Sequence, residues 1–168
     1  MNLDKRYADP APYPPIQVTG PNASYAKEML YNIGSCHSEL TSVNLYFYDS
    51  LVTRAQAPDV SECFRRIAMV EMHHLDIFGQ LSVLLGADPR PWSCCGRRLA
   101  YWTPGCSEYP RALPLIIQYA LEGENRAIEQ YRQQTCKIRD PHIVALLERI
   151  ILDEKKHIEL LHQMLQQV

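Results

Sequence analysis

Along most of this chain apolar side chains return at alternating steps of three and four, the period of an amphipathic helix. The clearest stripe reads Phe64, Ile67, Glu71, His74, Phe78, Leu81 and Leu85. It predicts a helix from about Asp59, a good cap, to Gly86, a good stop. An earlier helix is predicted from Asn22 or Ser24, either able to cap, to about Arg54; its stripe is Cys36, Glu39, Val43 and Tyr46, flanked by Leu40 and Phe47. A third helix ends near Cys136 and carries Leu113, Ile117, Ala120, Glu124, Ala127 and Tyr131. The fourth opens with Asp140-Pro141, a cap followed by proline at the first helical position, and carries Ile143, Leu147, Ile150, Glu154, His157, Leu161 and Met164.

Two stretches lack this period. Residues 1–21 hold Pro10, Pro12, Pro14, Pro15 and Pro21, a density that predicts an extended arm without regular hydrogen bonding. Residues 87 to about 112 hold Pro89, Pro91, Pro104, Gly105 and Pro110 and form a long connection. Between the second and third helices of a bundle, a link of that length allows a crossover along the bundle axis. The expected organisation is an arm over 1–21 and one all-α four-helix bundle over 22–168, which suits a chain of 168 residues.

Glutamate and histidine in the middle of apolar stripes require an explanation. Read in order, the stripes present Glu39, then Glu71 with His74, then Glu124, then Glu154 with His157. The first two glutamates are 32 positions apart and the last two 30, so one half-site is written twice. Side chains at i and i+3 share a helix face and can reach one cation. Four carboxylates and two imidazoles aimed into one core would be severely destabilising alone. Two divalent cations balance their charge, and this ligand set is that of di-iron and di-manganese bundle proteins. With no thiolate among the core ligands, iron or manganese fits better than a structural zinc. A single Glu-x-x-His is common on exposed helices, whereas two copies on buried stripes, each preceded by a stripe glutamate, are not.

The repeat extends further. Tyr46 follows Glu39 by seven residues and Tyr131 follows Glu124 by seven, so both phenols are expected near the metals, as packed hydrogen-bond donors or as redox groups. Asp153, beside Glu154, could accept from the far nitrogen of a ligand histidine, best His74, or could be a solvated acid. Val70 holds the matching place, so that support would be one-sided. His73 falls off the stripe; His37, His142, His162, Glu62, Glu122, Glu129, Glu148 and Glu159 read as solvated.

Composition narrows the rest. The formal charge is −2, from 17 basic and 19 acidic residues, which points away from nucleic acid. No apolar run reaches the roughly 18 residues of a membrane span, and the N-terminus lacks an apolar signal core, so a cytoplasmic location is expected. None of the six cysteines forms a Cys-x-x-Cys pair. Cys36 and Cys63 read as small core residues, and Cys94, Cys95 and Cys106 as free thiols of the long connection.

The segments Ser38-Glu39-Leu40-Thr41, Val70-Glu71-Met72-His73-His74, Gly123-Glu124-Asn125 and Asp153-Glu154-Lys155-Lys156-His157 resemble the ferritin-like superfamily in its rubrerythrin and manganese catalase branch. The match covers roughly residues 24–166. The resemblance implies one metal on Glu39, Glu71 and His74, a second on Glu124, Glu154 and His157, and Glu71 and Glu154 as bridges. Rubrerythrins usually add a rubredoxin-like domain, for which this chain has no cysteines, and a further glutamate where Ala127 stands. The lead-in with Tyr13-Pro14-Pro15 and Pro21-Asn22 is similar to that of spore-coat manganese catalases. The implied activity is removal of hydrogen peroxide, ahead of dioxygen, in a peroxidase- or catalase-like reaction, with an external electron donor needed only for the former. Iron oxidation and storage, or a structural coat-type role, are the alternatives. A homodimer or larger assembly is expected, with the aromatic run Leu45-Tyr46-Phe47-Tyr48 offering surplus apolar surface.

Overall fold

In the computed structural model the described residues are 3–95 and 98–168, without the side chains of Cys94, Cys95 and Arg98. The helices are α1 (Ala23–Gly34), α2 (Glu39–Val52), α3 (Pro58–Leu84), α4 (Leu113–Lys137) and α5 (Pro141–Leu165). Short turns join α2 to α3 and α4 to α5, and each pair packs closely as an antiparallel hairpin. Local signals explain the ends. The Asn22 side chain accepts from the Ser24 and Tyr25 amides, and Asp140 accepts from His142 N ahead of Pro141. Gly86, at φ 89°, takes the left-handed turn after α3. Asp59 is not the cap of α3: Pro58 opens the helix, and Asp59 lies in the first turn, where its charge favours the helix dipole.

The predicted first helix is divided, with Ser35–Ser38 separating α1 from α2. The cause lies in the long connection, which contains a hairpin of β1 (Trp92–Cys95) and β2 (Arg98–Tyr101), with Trp92 opposite Tyr101, and a 3₁₀ turn at Pro104–Cys106. The start of β1 presses on the end of α1. A Cβ built on Gly34 would lie 2.4 Å from the Trp92 nitrogen, so only glycine fits. The connection then lies along α2. Trp102 Nε1 donates to Thr41 Oγ1 at 2.9 Å, Asn44 Nδ2 donates to Tyr109 OH at 3.0 Å, and Cys36 is disulfide-bonded to Cys106. Cys36 is therefore neither helical nor a core residue, and Cys106 is not a free thiol: the break turns Cys36 outward, where the 3₁₀ turn meets it. Cys63 is buried and free, as expected. The expectations for Cys94 and Cys95 fall on undescribed side chains.

Two apolar clusters fill the bundle. One gathers Met29, Ile33, Phe78, Leu81, Tyr131, Ile143, Leu147 and Ile150. The other gathers Tyr46, Phe64, Ile67, Ile117, Leu161 and Met164. Each large side chain so buried contributes about 1.5–3 kcal/mol. Along α3 the second cluster ends at Ile67 and the first begins at Ile77; along α5 the first ends at Ile151 and the second begins at Leu161. Glu71, His74, Glu154 and His157 occupy the layer between, held on both sides by rigid packing. A reciprocal amide pair, Asn32 Nδ2 to Gln134 Oε1 at 2.9 Å and Gln134 Nε2 to Asn32 Oδ1 at 2.8 Å, fixes α1 against α4. Residues 3–22 contain no helix or strand. Among the described residues no helix is long and apolar enough to cross a membrane. Phe47, Leu51 and Val52 are exposed on α2, with Phe47 and Leu51 one turn apart on one face.

The disulfide joins residues 70 apart in sequence, and closing a loop of that length stabilises by at most about 4 kcal/mol on the chain-entropy account. Replacing Cys36 and Cys106 with serine is expected to lower the denaturant midpoint, and reductant is expected to lower the wild-type midpoint to match; equal midpoints in all samples would contradict the pairing.

Candidate metal centre

The six stripe residues converge. Glu39 enters from the first turn of α2, Glu71 and His74 from mid α3, Glu124 from mid α4, and Glu154 and His157 from mid α5. All six are buried, none more than 3% exposed. They form two overlapping groups, Glu39–Glu71–His74–Glu154 and Glu71–Glu124–Glu154–His157, and within each the candidate ligand atoms lie within 4.8 Å of one another. Glu71 and Glu154 belong to both. His74 Nδ1 lies 3.3 Å from Glu71 Oε2 and 3.3 Å from Glu154 Oε1. His157 Nδ1 lies 2.9 Å from Glu71 Oε1 and 3.1 Å from Glu154 Oε2. Each imidazole thus turns Nδ1 to the same two carboxylates. Glu122 and Glu129 face solvent, and His73 packs edge-on against Tyr13 at 4.7 Å between centroids.

Glu71 Oε1, both Glu154 oxygens and His157 Nδ1 face one another or His74 at 2.9–3.3 Å but are not aligned to hydrogen-bond, and His157 Nε2 has no partner among the described residues. Buried polar atoms are rarely left so, because each costs about 1–3 kcal/mol. Burial, together with the charges on Glu71 and Glu154, pushes the Glu39 carboxyl well above its ordinary range and the Glu124 carboxyl up to about 8. Burial alone would lower both imidazoles; the facing carboxylates, first Glu154 for His74 and Glu71 for His157, reverse this and hold them well above the usual value. Without a cation, the cluster shares protons to stay near neutral.

The tyrosines cross between the halves. Tyr46 OH donates to Glu124 Oε1, and Tyr131 OH donates to Glu39 Oε1. Burial raises both phenols well above their ordinary value, so they stay protonated donors. Asp153 lies on one side only, its Oδ2 3.2 Å from His74 Nε2.

Residues 34–165 match the rubrerythrin family, a span that includes all six convergent residues. The chain belongs to the rubrerythrin family. No curated protein matches it significantly. Among solved structures it is similar to KatB, a manganese catalase from Anabaena, with TM-score 0.84 and 16% identity over 99% of this chain and 80% of that one. It is also similar to the Mycobacterium tuberculosis bacterioferritin BfrA, with TM-score 0.71 and 20% identity over 88% and 87%. The Rhodobacter capsulatus bacterioferritin, solved with a metal-free dinuclear site and haem iron, gives 0.70 and 19% over 87% and 86%. These identities establish a ferritin-like fold, in accord with the helical order above.

In this rubrerythrin-family chain the periodicity did not single out the group around Asp153. Tyr13, from the proline-rich segment, donates to Asp153 Oδ2 and lies 3.1 Å from His74 Nε2. The Asp9 amide donates to Asp153 Oδ1 at 2.6 Å. Arg149, four residues before Asp153 on α5, reaches that same oxygen at 2.8 Å, donates to the Asp9 and Ala11 carbonyls, and caps the Tyr13 ring at 4.0 Å. The i, i+4 spacing of Arg149 and Asp153 was a readable signal, whereas Tyr13 has no periodic context. The His74 imidazole above all, then Tyr13 and Arg149, hold Asp153 far below the usual carboxylate range against its burial.

A cleft separates α2 from α4, lined by Tyr46, Asp49, Ala120, Gly123, Glu124 and Ala127, with a free volume of about 50 Å³. Asp49 is 5% exposed, and burial pushes its carboxyl up to about 7 from the model-compound value of 3.8. A carboxyl raised on folding keeps its proton longer in the native state, so stability declines as pH rises from about 4 to about 7 and levels off above that. Asp49→Asn is therefore expected to match wild type in thermal melts at pH 4 and to exceed it at pH 8, by at most about 4 kcal/mol; a gap independent of pH would refute this placement.

Proposed function

We propose that this protein is a binuclear-metal oxidoreductase that removes hydrogen peroxide. The observation that carries the reading is the pair of overlapping, fully buried donor groups sharing Glu71 and Glu154, with oxygens and nitrogens that have no other partner. The donors fit a metal pair. Four carboxylates can offset two divalent cations, and an all-oxygen-and-imidazole set suits iron or manganese. Glu39 and His74 would hold one ion, Glu124 and His157 the other, and Glu71 and Glu154 would bridge them. When bound, such a pair supplies two-electron redox chemistry.

The chain's own residues then have separate tasks. Tyr46 and Tyr131 orient Glu124 and Glu39 through single hydrogen bonds and keep a proton at each phenol oxygen. Asp153, fixed by Tyr13, Arg149 and the Asp9 amide, accepts from His74 Nε2 and so directs Nδ1 toward the centre. His157 has no matching carboxylate, so the two positions differ in donor strength. A single water needs about 10–15 Å³, so the cleft beside Glu124 has room for roughly three to five water-sized groups, which accommodates peroxide. In the catalase-like reaction one peroxide takes two electrons and two protons to become two waters, and a second releases the same number to become dioxygen. No outside donor is then needed. The exposed face of Phe47 and Leu51 supports pairing with a second copy.

Elemental measurement on purified protein is expected to find two iron or manganese ions per chain. Glu39→Ala should lose about one and Glu71→Ala both, because Glu71, unlike Glu39, serves both groups; unchanged content in Glu71→Ala would sink the assignment. At metal one hundred times above its dissociation constant, binding adds about 2.7 kcal/mol, and the melting temperature should rise by roughly 5–10 °C over chelated protein.

Loaded protein should consume peroxide with release of dioxygen in the absence of reductant. A strict need for reductant would make it a peroxidase, and Fe(II) oxidation in air with no peroxide consumption would point instead to iron oxidation and storage.

A further inference from the structure

The cleft between α2 and α4 contains a group that the metal centre leaves unused. Asp49 follows Tyr46 by three residues, so the two share a helix face, and both line the cleft. Asp49 is 95% buried as a residue, yet its carboxyl accepts no hydrogen bond from any described residue, and its unpaired oxygens reach the surface of the cleft. Its helix neighbours are engaged elsewhere: Tyr46 donates to Glu124, and Ser50 Oγ donates to the Phe47 carbonyl. Carboxyls held without a partner in a cleft concentrate at functional sites. Across from it, α4 lines the cleft with the small residues Ala120, Gly123 and Ala127, flanked by Tyr119 and Arg126. A Cβ placed on Gly123 would meet nothing within 4 Å. Glycine is not needed there for the fold, and its effect is to leave space at the cleft mouth.

We propose that this cleft is a holding subsite for a small molecule bearing O–H donors, in the size class of hydrogen peroxide, with Asp49 as its hydrogen-bonding anchor and Gly123 keeping its mouth open. The identity of the molecule rests on the peroxide reading of the metal centre; the existence of the subsite does not. A donor entering between Gly123 and Asp49 meets the carboxyl first and then Tyr46 and Glu124, so Asp49 acts by positioning the molecule before it reaches the centre.

The test uses full-length metal-loaded protein with Asp49→Leu, Asp49→Asn and Gly123→Phe, each checked for unchanged metal content and for melting no lower than wild type. Asp49→Leu is expected to raise KM for peroxide about tenfold, what one lost hydrogen bond is worth, with kcat within about twofold, and Asp49→Asn, which keeps an acceptor, to recover most of it. Gly123→Phe and Asp49→Leu are each expected to weaken binding of methanol, a neutral O–H donor of the same size, followed by calorimetry, about tenfold. If wild type ignores peroxide while both variants still lose methanol, the subsite stands and the peroxide reading falls. If both variants bind methanol as wild type does and Asp49→Leu leaves KM within about twofold, the subsite is overturned.

Discussion

The structure depends on one electrostatic constraint: four carboxylates and two imidazoles share a dry layer at the middle of the bundle. None of the six is more than 3% exposed, and several of their atoms make no hydrogen bond. A layer like this can exist only if the packing around it is strong enough to hold it. The two apolar clusters do so, one above and one below, drawing on the same helices. The polar layer replaces what would otherwise be one more turn of leucine and isoleucine in each stripe. A fold that forgoes that much burial retains the donors for a purpose other than stability.

The surroundings of the six residues are partly symmetric. Tyr46 and Tyr131 link each half to the glutamate of the other, so the halves are coupled through two protonated phenols. The symmetry fails at the imidazoles. His74 has Asp153 behind it, and Asp153 is gripped by Arg149, Tyr13 and the Asp9 amide. His157 Nε2 has no partner. A duplicated half-site has thus acquired different second neighbours, which is how a metal pair can be given two unequal positions with identical ligands.

The stripes of α3 and α5 were legible because every listed position is packed, and period alone places a residue on a buried face. That reasoning separated Glu124 from Glu122 and Glu129, and His74 from His73. It failed at Cys36, where the pattern continued through a break. The break arises from Trp92 pressing on Gly34 and from the bond to Cys106, contacts across about sixty and seventy residues that no local pattern encodes. Period reasoning also misses Tyr13, whose proline-rich context has no period to read, and Asp49, which shares the Tyr46 face and is set apart only by the separation of α2 from α4.

By itself the sequence determined the helical segments of the bundle, the face each one buries and the six donors on those faces, because helix period and apolar burial are local and additive along the chain. Only the tertiary structure decided that the donors interleave into two groups sharing Glu71 and Glu154, that the tyrosines cross over, that Asp153 serves one histidine, and that a cleft with a lone buried carboxyl opens beside Glu124. Those features depend on distances between helices, and such distances are set by packing among residues remote in sequence.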